Sequence, residues 1–216
     1  MIFVIVPVKD LSRAKERLSS VLPQEERTEL AYAMLEDVLT ALRDSKLADR
    51  KFIVTMDSRA SAIAEGLGIE IIHETEQNGE SASVDYASLI CRDMGARSVL
   101  VIPGDAPLIT HQDIDSVLQK EDGSPCVVMV PARDKMGTNA IMRTPPDVIP
   151  SRFGHDSFRK HASEAGERNI PVKTFENPRI GLDIDNPEDL DEFISRKNDT
   201  KAWGELKRIK YIKEIA

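Results

Sequence analysis

Apolar positions along the chain fall into two alternating patterns. The segment Ile2-Phe3-Val4-Ile5-Val6-Pro7-Val8 is continuously apolar and rich in β-branched residues, which predicts a strand buried on both faces. Short runs of the same kind recur at Phe52–Met56, Ile69–Ile72, Val99–Ile102 and Val127–Val130. Between them the spacing turns helical. From Gln24 to Ser45, Leu30, Ala31, Met34, Leu35, Val38, Leu39 and Leu42 recur every three or four residues and form one apolar stripe. A second helix is predicted over Ser81–Met94, with Gly95 placed to end it. A third runs from Thr110, capped through Asp113, to about Lys120. This rhythm predicts an α/β fold: a mostly parallel, mixed central sheet with helices on both faces.

After Pro131 the rhythm changes. Strands are expected at Thr138–Arg143, Ile170–Phe175 and Ile180–Asp185, and a helix over Asp156–Ala165 ended by Gly166. Asn186-Pro187-Glu188-Asp189 is a strong helix start, with a cap residue, proline at the first helical position and acids in the first turn. One domain is expected over residues 1–197, followed by a basic helical extension over 198–216. In that tail Leu206, Ile209, Ile212 and Ile215 have helical spacing, which predicts packing on a partner subunit, as in a homodimer, or on the domain edge.

Composition narrows the partners. Lys plus Arg number 29 against 37 Asp plus Glu, a net charge of −8, so a polyanion such as nucleic acid is not an expected partner. No apolar run approaches membrane-spanning length, and the first strand lacks the flanks of a secretory signal. Cys91 and Cys126 read as buried free thiols in a reducing cytoplasm. Lys9, Arg13, Lys15 and Arg17 nevertheless fall within nine residues, and a second basic cluster spans Arg196 to Lys213. A local basic pocket in an acidic chain suggests a small anion.

In an open α/β sheet, ligands bind beyond the carboxyl ends of the strands, and three segments sit there. The first, Pro7 to Leu18, has no glycine and places its cations at odd positions, which suits a loop folded around an anion better than one helix face. The second, Ile102-Pro103-Gly104-Asp105-Ala106-Pro107, holds one carboxylate in a rigid turn, suited to a hard divalent cation. The third, Gly181-Leu182-Asp183-Ile184-Asp185, puts two carboxylates on one side of a strand. With Asp105, this pair makes a two-sided metal site. The four histidines show no paired ligand spacing.

These segments, taken with others, resemble a known family. Pro7-Val8-Lys9 with Ala14-Lys15-x-Arg17-Leu18, Pro-Gly-Asp at 103–105, Gly-Thr-Asn at 137–139, Phe-Gly-x-x-Ser-Phe at 153–158 and Asp-Ile-Asp-x-Pro-Glu-Asp-Leu at 183–190 look like the 2-phospho-L-lactate guanylyltransferases of deazaflavin coenzyme F(420) biosynthesis. The resemblance runs from residue 2 to about 194. It implies a Rossmann-like nucleotidyltransferase fold, similar to the molybdenum-cofactor guanylyltransferases, with GTP as substrate and Mg²⁺ as cofactor. It also implies that Asp105 and the first acid of the Asp183/Asp185 pair hold metal, and that Thr138, Gly154 and Ser157 bind a phosphorylated three-carbon acid.

One departure stands out: relatives tend to have Leu-Asn after the glycine at 79, where this chain has Glu80-Ser81. The expected reaction is in-line attack by the acid's phosphate on the α-phosphorus of GTP, with Lys15 and Arg17 on the leaving pyrophosphate and Lys9 on the α-phosphate or product. The acceptor phosphate is largely ionised at pH 7, so no general base is required. The residues alone leave open an A-type glycosyltransferase, a molybdenum-cofactor-type nucleotidyltransferase and a nonenzymatic nucleotide-sensing module.

Overall fold

The computed structural model describes residues 1–74, 76 and 78–212; Ile215 and Lys213, singled out above, lie outside the described residues. Seven strands form one sheet: β1 (Ile2–Val8), β2 (Arg50–Thr55), β3 (Glu70–His73), β4 (Ser98–Val101), β5 (Cys126–Pro131), β6 (Thr138–Thr144) and β7 (Val172–Thr174). The order across the sheet is β3-β2-β1-β4-β6-β5-β7, with β6 antiparallel to both neighbours and every other pairing parallel. The expected mixed, mostly parallel sheet is therefore present. Between β1 and β4 the winding reverses direction, which opens a crevice at their carboxyl ends.

Helices cover both faces. α1 (Gln24–Asp44), α2 (Ser58–Gly66) and α4 (His111–Leu118) pack on one face; α3 (Glu80–Asp93) and α5 (Ser157–Glu167) pack on the other. Strand residues alternate between the two cores: Val4, Val6 and Val8 face α1, while Phe3 and Ile5 face α3. This is why β1 is apolar throughout. The Thr110–Asp113 capping box forms as its spacing predicted, and Asp113 also takes a two-pronged ion pair from Arg179. Both cysteines are buried free thiols.

α1 carries a wider apolar surface than one stripe. Leu35, Val38, Leu39 and Leu42 face the sheet, whereas Leu30, Ala31 and Met34 join a third core with α6 (Pro187–Ser195) and α7 (Lys201–Arg208). In that core Leu206 and Phe193 are fully buried, and Trp203 meets the Phe193 ring edge-on at 6.0 Å. Asp37 of α1 accepts the first two amides of α7, from Lys201 and Ala202, at 2.7 and 2.9 Å. Of the two surfaces expected for the tail helix, the described part uses the domain edge, and its apolar face is covered within the chain.

Three expectations need correction. Ile180–Asp185 is not a strand among the described residues: Ile180 and Gly181 belong to a turn and the rest has no ladder partner; a Cβ on Gly181 would come within 3.1 Å of the Asn177 carbonyl. α5 runs through Gly166 to Glu167, so that glycine does not end the helix. α2 is an additional helix that periodicity did not reveal. It is short and alanine-rich, and its start rests on Asp57, whose carboxylate accepts the Arg59 and Ala60 amides.

Candidate active site

All nine residues singled out from the sequence line one cavity of about 790 Å³ at the β1/β4 crevice: Lys9, Lys15, Arg17, Asp105, Thr138, Gly154, Ser157, Asp183 and Asp185. Part of its lining is the charged cluster around Lys15; another part brings the Thr138 and Ser157 hydroxyls and Gly154, with Arg133, Asp134 and Asp156 lining the cavity as well.

In the charged cluster, the loop after β1 turns at Lys15, whose backbone is left-handed (φ 58°) as it enters a short 3₁₀ turn over Glu16–Leu18. That turn, anchored by fully buried Leu18, sends the Lys15 side chain inward. Its Nζ donates to Asp105 Oδ2 at 2.5 Å and to Asp185 Oδ1 at 2.8 Å. Burial alone would favour the neutral amine, but the two carboxylates outweigh it and raise its pKa above that of an ordinary lysine. Asp185 shows the converse: burial pushes its carboxyl up, and Lys15 more than reverses this. Arg17 approaches Asp185 at 3.7 Å from an exposed position, while Lys9 is exposed at the rim.

Asp183 is held by its neighbours. Asn139 Nδ2 donates to its Oδ1 and to the Ile180 carbonyl, each at 2.9 Å, and the Ile184 amide donates to the Asp105 carbonyl at 3.1 Å. The 180–185 segment is thereby pinned against the Asp105 turn without belonging to the sheet. Burial raises the Asp183 pKa first, and the Asp105 and Asp185 charges raise it further. Among the described residues, no three His, Cys, Asp or Glu side chains are gathered closely enough to enclose a metal unaided. The carboxylates nonetheless already share one cation, the Lys15 ammonium. Hard oxygen donors beside an open cavity suit Mg²⁺, which takes one or two carboxylates and keeps its other positions for phosphate and water.

Elsewhere in the lining, Thr138 begins β6 and Ser157 begins α5. The Thr138 amide donates to Ser157 Oγ at 2.8 Å, so the two hydroxyls are neighbours. Gly154 has φ 105°, a conformation that disfavours side chains, and has open space where a Cβ would lie. The amides at the start of α5 are not all free for an anion. The Ser157 and Phe158 amides are already taken by the Gly154 and Met136 carbonyls.

Sequence reasoning missed several lining residues. Arg133 is paired with Asp189 at 2.6 Å, and Asn139 belongs to the Gly-Thr-Asn motif, a signal that could have flagged it. Glu80 at the start of α3 also faces the cavity, where burial holds its carboxyl above the ordinary value despite nearby Lys9.

The chain matches the family described as "Guanylyl transferase CofC like" over residues 2–215. It is 37% identical over 190 residues to a phosphoenolpyruvate guanylyltransferase of Conexibacter woesei, covering 88% of this chain and 85% of that protein. A 2-phospho-L-lactate guanylyltransferase of Methanothermobacter thermautotrophicus is 32% identical over 207 residues, with 96% and 90% covered. A 3-phospho-D-glycerate guanylyltransferase of Colwellia psychrerythraea is 31% identical over 188 residues, with 87% and 89% covered. Among solved structures, CMP:2-keto-3-deoxy-manno-octonic acid synthetase complexed with CTP shares the fold at TM-score 0.61 and 14% identity, with 90% of this chain and 97% of that one covered. A family match over nearly the whole chain sets aside the glycosyltransferase alternative, which rested on the fold and an Asp-x-Asp pair, and the nucleotide-sensing one, which rested on the fold. With the cavity at its switch point, this chain belongs to the CofC-like guanylyltransferase family.

Proposed function

We propose that this enzyme transfers GMP from GTP to the phosphate of a phosphorylated three-carbon acid, phosphoenolpyruvate or 2-phospho-L-lactate, as a step in deazaflavin coenzyme F(420) biosynthesis. An acceptor phosphate oxygen forms a new bond to the α-phosphorus of GTP. The bond from that phosphorus to the α,β-bridging oxygen breaks, and pyrophosphate leaves with that oxygen. The observation that carries this reading is the lining of the cavity. Its charged cluster suits a triphosphate with its metal, and its hydroxyls suit a second, smaller anion.

Asp105 and Asp183 are the residues proposed to hold Mg²⁺, with Asp185 beside them. When bound, the metal would supply charge neutralisation on the triphosphate. Lys15 and Arg17 bind the leaving pyrophosphate, while Lys9 at the rim meets the α-phosphate or product. Thr138, Gly154 and Ser157 hold the acid in line. Catalysis then rests on positioning and charge, since the nucleophile is already ionised. The reducing cytoplasm is the proposed setting, which the two buried free thiols suit.

Pyrophosphate release from each of the four nucleoside triphosphates, measured with each of the three acids that the relatives use, tests the reading. GTP with phosphoenolpyruvate or 2-phospho-L-lactate is expected to turn over. Release with GTP that is indifferent to any acid would overturn it.

A further inference from the structure

His161 lies one turn into α5, fully buried, with no path to solvent, and no step above uses it. Its two ring nitrogens have unlike partners. Nε2 lies 2.8 Å from the Arg152 amide, which can only donate. Nε2 must therefore be the lone-pair nitrogen, and the ring proton resides on Nδ1. Nδ1 stands 3.1 Å from Thr138 Oγ1. Facing an N–H, the Thr138 oxygen acts as acceptor on that side, and its own proton has to turn elsewhere. The neighbouring Ser157 oxygen is likewise occupied as an acceptor, by the Thr138 amide at 2.8 Å. Both residues line the cavity, and each hydroxyl has a proton left to give.

We propose that His161 is a positioning residue for the acceptor: its Nδ1–H tautomer fixes the Thr138 hydroxyl so that the O–H points into the cavity at an oxyanion of the bound acid. This rests on the reading of Thr138 and Ser157 as the acid's binding side. The surroundings support a neutral ring. Burial lowers its pKa to about 4; Arg143 and Arg152 push the same way, and Asp85 pulls up without prevailing. The Phe153 ring packs edge-on at 5.2 Å and fixes the imidazole plane. A buried hydroxyl whose orientation is already set pays little reorganisation when the anion arrives.

A long-range ¹H–¹⁵N spectrum of the wild-type enzyme reads the tautomer directly and needs no variant. The Nδ1–H form is expected; an Nε2–H form overturns the proposal. Two conservative variants then separate the nitrogens. His161→Gln keeps an acceptor near the Nε2 position but loses the Nδ1 donor, and His161→Asn does the reverse. With GTP and phosphoenolpyruvate, His161→Gln should lower kcat/KM for the acid about tenfold with KM for GTP unchanged, and His161→Asn should stay within about threefold of wild type. Equal losses in both variants, following their melting temperatures, would mean a purely structural histidine. Thr138→Val separates this from the underlying reading. If Thr138→Val leaves acid kinetics intact, the acid side itself is misplaced. If it impairs them while His161→Gln does not, only the role of His161 falls.

Discussion

Lys15 sits between Asp105 and Asp185 at 2.5 and 2.8 Å, so any metal bound to those carboxylates competes with its ammonium. At an effective dielectric of 20, two unit charges 4 Å apart interact by about 4 kcal/mol, and the partial exposure of both carboxylates reduces this. Lys15→Ala should therefore bind Mg²⁺ at least about tenfold more tightly by calorimetry while using GTP less well. Unchanged Mg²⁺ affinity would show that metal and lysine do not share these oxygens. Asp105→Asn keeps shape and removes charge; turnover should fall at least about 100-fold with an unaltered melting curve. Ser157→Ala deletes one hydroxyl donor to a charged group, worth about 1.5–3 kcal/mol, so kcat/KM for the acid should drop roughly 10- to 150-fold. Binding of GTP with Mg²⁺ alone should be spared. A stability loss of about 1 kcal/mol with intact kinetics would instead mark Ser157 as a helix-start residue only.

At the scale of elements, α7 shows how a short helix is held by what it packs on. Eight residues cannot sustain an isolated helix in water. Here Leu206 is fully buried in the third core, and Asp37 accepts two of the amides that an isolated helix would leave unpaired. Leu206→Ala should cost about 2–5 kcal/mol in denaturant unfolding, the range for a cavity at a buried leucine. A loss below about 0.5 kcal/mol would mean that α7 contributes nothing to the fold. That core also contains Leu18, so α7 reaches the active site through the 3₁₀ turn that aims Lys15. The apolar spacing of the tail was legible in the sequence. Its partner was not, because Leu30, Ala31 and Met34 read as part of one stripe until the sheet claimed only half of it.

For the whole molecule, winding order does what local sequence cannot. Lys15, Asp105 and Asp185 are separated by 90 and 170 positions, and they meet because β1 and β4 are neighbours across the reversal in the sheet. Global stability should carry the signature of the buried histidine. The unfolded chain protonates His161 near pH 6.5, whereas the folded one resists until about 4. As pH falls through that window the unfolded state binds more protons, so stability declines, by roughly 3 kcal/mol in total from this group. The pH dependence of unfolding, wild type minus His161→Asn, isolates it. A flat difference between pH 7 and 4 would show that the ring is not held neutral.

The sequence by itself determined the central parallel strands β1, β2 and β4, because strands buried on both faces of a sheet must be apolar almost throughout. It also determined the caps at Thr110 and Asn186, where the bonding partners are three residues apart and no distant contact is needed. Family motifs carried the nine candidate residues, all of which line one cavity. Local pattern failed where bonding is non-local. Ile180–Asp185 alternates like a strand, with Leu182 and Ile184 buried, yet it finds a turn and Asn139 in place of a ladder. Only the tertiary structure decided that Lys15 neutralises the carboxylates around it. The tautomer of His161 likewise followed from three-dimensional contact, through the Arg152 amide at 2.8 Å. A charge or a proton is assigned by whatever stands within hydrogen-bonding distance, and in this fold those neighbours come together only once the sheet has closed over its helices.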